Sequence, residues 1–238
     1  MSSEEMAYDM SEARLALTLC ITKGREGAEP DMVALERMYR ALRFESTVKR
    51  DPPAQGFRDE VVHFREEMEK RTDPISCCFV VLMAHGKEGR LLGADGQVVE
   101  LEELYDVLTN KTCRALLGKP KVFILQACRG DQKDTGEMLR TEQVLTTMFQ
   151  ELPKIPTFTD TLHVYSTVVG YIAYRNIKEG SCFIQTLVDV FITGKSNILD
   201  LLTEVTRQMV EAELVWEDHV RKVNPEIYST LRKQLYLQ

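Results

Sequence analysis

Apolar runs of strand length alternate with stretches whose apolar residues recur at helical spacing, and the alternation holds along most of the chain. Leu15 to Ile21 is apolar enough for a buried strand. Beyond a loop rich in Gly and Pro, Leu35, Met38, Tyr39 and Leu42 share one helical face. Phe44 to Lys49 reads as a second strand, stopped by Asp51-Pro52-Pro53, and Phe57, Val61, Phe64 and Met68 mark a second helix. Cys77 to Ala84 is a continuous buried-type strand, followed by short strand-like pieces at Leu91-Leu92 and Val98-Val99 about an Asp95-Gly96 turn. Residues 101–117 are expected to be helical, ending at Gly118 and Pro120, with Lys121 to Gln126 the next strand. His163 to Val168 is strand-like, and Leu231 to Leu237 is a candidate last strand. Between them, Ile184, Leu187, Val188 and Phe191 form one helical face, and Ile198, Leu201, Leu202, Val205 and Met209 another. Strands alternating with amphipathic helices give an α/β fold, a mostly parallel central sheet with helices on both faces.

At 238 residues the chain fits one large domain whose core needs no staples. Its 30 Lys and Arg against 37 Asp and Glu leave a net charge of −7, which argues against a nucleic-acid footprint. No apolar run reaches the length of a membrane span, and the acidic start Met1-Ser2-Ser3-Glu4-Glu5 lacks the basic-then-apolar order of a signal peptide. The six cysteines include no CxxC pair and no Cys/His spacing of a zinc site, so neither a metal nor another cofactor is expected. Cys20, Cys77 and Cys78 fall within apolar runs, where a buried thiol is the ordinary reading, and a reducing intracellular compartment follows.

In an open parallel sheet, ligands bind outside the carboxyl ends of the strands. His85 follows the run Cys77–Ala84 at that end, and Cys128 follows Lys121–Gln126 at the same kind of edge. One helical crossover would make the two strands parallel neighbours and put both side chains on one rim. His163 precedes its expected strand, at the wrong edge; His63 lies in a helix and His219 in a polar stretch. A thiol is mostly protonated at neutral pH, so a nucleophilic Cys128 needs His85 to hold its proton. Gly86 lets the backbone approach a substrate, and its N–H with that of Cys128 can receive a tetrahedral oxyanion. Taken singly, Cys128 reads as an inert core thiol and His85 as a strand-end histidine.

The pentapeptide Gln126-Ala127-Cys128-Arg129-Gly130 reverses that reading. It matches the nucleophile signature of the caspases, whose histidine lies roughly 50 residues upstream, and here 128 − 85 = 43. Gly170-Tyr171-Ile172-Ala173-Tyr174-Arg175-Asn176 is similar to the family's cleft-lining segment, and Gly180-Ser181-Cys182-Phe183-Ile184-Gln185 to its GSWFIQ helix start, with Cys182 where Trp is usual. The resemblance covers nearly the whole chain. It implies a caspase-like sandwich of about six strands, and a cysteine endopeptidase cutting protein substrates after aspartate. By motif, the family's aspartate pocket falls on Arg25, Gln126 and Arg175, although the loop around Arg25 departs from the usual RxGT. Guanidinium forks suit a buried carboxylate where lysine does not. Tyr174 and Ile172 resemble positions shaping the next subsite; either could equally belong to a core.

The resemblance also implies a large-subunit region (1–130), an intersubunit linker (131–157) and a small-subunit region (158–238), with no prodomain. It implies a zymogen matured by linker cleavage, partnered by an activating protease and by a second copy in a homodimer packed through the last strand. After Asp134 the next aspartate is Asp160, beside the small-subunit motif, so maturation is expected at Asp131, Asp134 or a non-aspartate site. Arg43 to Thr47, Tyr165 to Val168 and the ending 231–238 are similar to a keratinocyte member of the family. That likeness implies epidermal differentiation and cornification rather than apoptosis, in the cytoplasm and also the nucleus. The competing expectation is a catalytically silent scaffold that regulates partners by dimerising; a zinc or redox protein fails on cysteine spacing.

Overall fold

The computed structural model describes residues 6–130, 156–212, 214–216 and 219–238. The chain runs β1 (Ala13–Cys20), α1 (Ala28–Ala41), β2 (Phe44–Arg50), α2 (Ala54–Lys70), β3 (Ile75–Met83), β4 (Gly86–Lys87), β5 (Arg90–Leu92), β6 (Val98–Glu100) and α3 (Leu101–Tyr105). It continues with β7 (Lys121–Gln126), β8 (Thr161–Tyr165), α4 (Cys182–Thr193), α5 (Ile198–Glu211), β9 (Leu214–Trp216), β10 (His219–Arg221) and β11 (Glu226–Ser229). The middle layer is a six-stranded sheet in the order β11-β8-β7-β3-β1-β2. Within it β2, β1, β3, β7 and β8 are mutually parallel, and β11 runs antiparallel to β8 at the edge.

Strand residues alternate between two cores. Ala16, Cys20, Cys77, Phe79 and Val81 pack toward α1, α4 and α5. Leu15, Leu17, Leu19, Cys78, Val80 and Leu82 pack toward α2 and α3. Because a strand shows its side chains to alternate faces and both faces are covered, β3 is buried at every position and apolar at all but Ser76, whose hydroxyl accepts from the Glu12 N–H. Ser181 caps α4 by accepting from the Ile184 N–H, and Asn197 caps α5 by accepting from Leu199 and Asp200.

The structure departs from the sequence expectations in three places. The expected helix 101–117 stops after α3 and gives way to short 3-10 turns, because Thr109 and Thr112 bond locally to the backbone of this stretch. Residues 231–237 form no strand, only the isolated bridges Ala7–Gln234 and Asn197–Tyr236, and the sixth strand is the earlier segment β11. His163 lies inside β8 rather than before it. His219 opens β10, which pairs antiparallel with β9. Most of the expected linker, 131–155, lies outside the described residues. Among the described residues no helix is long and apolar enough to cross a membrane.

Candidate active site

Strands β3 and β7 pair in parallel with Met83 opposite Gln126. His85 and Cys128 each follow two residues later, so equal steps past one register carry both to the same rim. The Ala84 N–H donates to the Gln126 carbonyl at 3.4 Å, joining the two strand exits. Gly86 then presses on the backbone of Cys128: a Cβ there would stand 2.9 Å from the Cys128 carbonyl oxygen. Gly130 packs in the same way on the Gly170 carbonyl, which any Cβ would strike.

His85 is exposed, and its Nε2 lies 3.1 Å from the Gly24 carbonyl oxygen. A carbonyl only accepts, so Nε2 carries the hydrogen and Nδ1 is the basic nitrogen of the neutral ring. Cys128 is half-buried, with Sγ 3.9 Å from the Ala173 carbonyl oxygen. Burial pushes the Cys20 and Cys113 thiols up to about 11 and the Cys77 thiol up to about 12, so these are poor nucleophiles.

Arg25 and Arg175 come from opposite halves of the chain and meet beside this rim. Arg25 is only 2% exposed; its Nη2 donates to the Gln126 carbonyl at 3.1 Å, while Nη1 is buried without a partner. Burial, and then the neighbouring Arg175 charge, lower its pKa to about 10, so it stays a cation at neutral pH. Burial lowers that of Arg175 as well, and its Nε donates to the Glu26 carbonyl at 2.5 Å. Gln126 is buried, and its Oε1 is also unpartnered. Gly27 permits the approach: it holds φ at 81°, and a Cβ would run into the Asn176 carbonyl. Tyr174 is buried and Ile172 is half-buried against the core under α1.

Sequence reading missed three contributors. Gly24 supplies the carbonyl that engages His85. Arg129 lies over the Tyr165 ring at 3.9 Å and pairs with Glu226 of β11, tying the loop after β7 to the sheet edge. Asp31 is fully buried behind the arginine pair, and desolvation raises its pKa. Asp31, Leu35 and Met38 share one helical face, and a carboxylate in line with buried apolar residues was the signal to follow. The remaining histidines lie elsewhere: His63 is exposed beside Glu67, and His163 sits among Tyr105, Phe123 and Tyr165. Among the described residues no group of three or more His, Cys, Asp or Glu could hold a metal ion.

Comparison with known proteins gives the same outline. The family model Peptidase_C14, caspase domain, matches residues 13–236. Caspase-14 of Homo sapiens is 61% identical over 237 residues, covering 100% of this chain and 98% of the relative. Caspase-14 of Mus musculus is 56% identical over 246 residues, covering 99% and 96%. Caspase-3 of Mesocricetus auratus is 36% identical over 221 residues, covering 89% and 76%.

Proposed function

Since the chain belongs to the caspase family of cysteine-type peptidases, we propose that it cuts protein substrates after aspartate, with Cys128 as nucleophile and His85 as general base and acid. Nδ1 of His85 takes the Cys128 proton as sulfur attacks the scissile carbonyl, then delivers it to the leaving amine. Gly24 holds the ring from its far side. The N–H groups of Gly86 and Cys128 receive the oxyanion. Water then releases the acyl group by the same exchange in reverse.

One observation supports the specificity above all: the buried guanidinium of Arg25, lacking a partner at Nη1, beside the half-buried Arg175. A substrate carboxylate pairs those cations, whereas an asparagine amide offers no charge and leaves the penalty of buried, unpaired guanidinium groups in place.

In this reading residues 1–130 and 158–238 are the large- and small-subunit regions, and an activating protease cuts between them, within 131–157. Asp160 is unsuited to that cut: it is fully buried, accepting from Tyr8 at 2.7 Å and from Arg232 at 2.9 Å. The active species is a homodimer. The resemblance of Arg43 to Thr47, Tyr165 to Val168 and 231–238 to a keratinocyte member of the family extends the proposal to keratinocyte differentiation, in the cytoplasm and nucleus.

The test is an assay of the protein cut within 135–157, with paired peptides ending in aspartate or asparagine before the scissile bond. Cleavage of the aspartate peptide alone, falling on the order of 10³-fold or more in Cys128→Ala, is expected. No cleavage by the dimerised wild type would favour a silent scaffold that acts through partners.

A further inference from the structure

Asp31 takes no part in the reaction above, yet it is a fully buried carboxylate at the place where the two halves of the site join. Its Oδ1 accepts from the Ser181 N–H at 2.8 Å and from Gln185 Nε2 at 3.1 Å. Its Oδ2 is buried with no hydrogen-bond partner. Gly180 is packed so closely that a Cβ would strike Oδ1, and it holds φ at 87°, where only glycine is at ease. The carboxylate therefore sits in a fitted cradle. Its charge favours the cationic forms of both Arg25 and Arg175.

The placement along the chain is symmetric. Asp31 lies in the first turn of α1, 31 − 25 = 6 residues after Arg25. Ser181 is the N-cap of α4, 181 − 175 = 6 residues after Arg175. One carboxylate thus fastens the root of each arginine-bearing loop to the root of the other. Two guanidinium groups brought together repel, and a fixed anion behind them offsets that repulsion.

We infer that Asp31 is a positioning residue for the specificity pocket: through Ser181 and Gln185 it docks the Arg175 segment onto the Arg25 loop, and its charge holds the arginine pair together for a substrate carboxylate. The inference rests on the reading of Arg25 and Arg175 as an aspartate pocket, but loop order can be measured without any activity. Asp31→Ala and Asp31→Asn, made in the full chain, are compared with wild type by hydrogen exchange. After cleavage within 135–157 they are compared again by kinetics on the aspartate peptide.

In Asp31→Ala, exchange in 23–27 and 171–181 is expected to quicken about tenfold or more while α5 keeps its protection, and KM is expected to rise about tenfold with kcat little changed. Asp31→Asn keeps an oxygen for Ser181 but loses the charge, so its KM is expected to rise about fivefold; it carries the test if the alanine variant does not fold. Unchanged exchange in both loops overturns the proposal. So does an unchanged KM, or a loss of protection that extends equally through α5, which marks a merely structural role. If wild type cleaves no aspartate peptide, the function proposed above fails, and the exchange data still decide the role of Asp31.

Discussion

His163 shows how one residue inside a sheet can make the whole protein sensitive to acid. Its ring stacks on Phe123 at 5.2 Å and meets Tyr105 edge-on at 4.4 Å, an apolar setting in which a charge is poorly solvated. Burial lowers its pKa from 6.5 to about 4. Between those values the unfolded chain holds the proton and the folded protein does not. The stability linked to His163 is therefore complete above the unfolded value and is lost as pH falls toward 4, by up to about 3 kcal/mol. Urea unfolding at about pH 7 and about pH 5 is expected to show this fall in wild type and a smaller one in His163→Phe, whose ring can keep the stacking. An equal fall in both would assign the acid sensitivity to other groups. From sequence alone His163 was placed before a strand, because nothing local separates a histidine opening β8 from one within it.

At the scale of elements, the approach of the Arg25 loop to the Arg175 segment depends on Gly27. Its positive φ and its contact with the Asn176 carbonyl leave no room for a methyl group. Gly27→Ala is expected to part the loops and lower kcat/KM for the aspartate peptide about tenfold or more, with the fold retained by circular dichroism. Unchanged kinetics would show that the pocket does not need this contact. The placement of His85 and Cys128 on one rim was legible by contrast, since β3 and β7 are themselves apolar runs and the crossover between them makes them parallel. What local periodicity could not show was the break after α3. There the hydroxyls of Thr109 and Thr112 take up backbone groups that a continued helix would have used, while the apolar spacing still resembles a helix.

At the scale of the molecule, the sheet ends on one side at β11, whose Tyr228 is 61% exposed. An unpaired strand edge with an exposed aromatic side chain is suited to pairing with a second copy. If the proposed homodimer uses this edge, Tyr228→Lys is expected to shift sedimentation from dimer toward monomer and to reduce cleavage in parallel, because Glu226 of the same strand pairs with Arg129, the residue after Cys128. A variant that stays dimeric would place the interface elsewhere. The expected final strand at 231–237 pointed to a neighbouring segment instead; it is apolar at intervals, but it spends those residues on the core under α1, as Leu235 and Leu237 show. Sequence by itself determined the α/β class, both faces of the sheet and the rim shared by His85 and Cys128, because periodicity and strand ends are local properties of the chain. Arg25 and Arg175 could be placed together only through the family resemblance, and the tertiary structure was needed to show that Asp31 lies behind them and that β11 forms the edge. Those contacts join residues about 60 to 150 positions apart, and their cost and gain depend on burial, which no local pattern records.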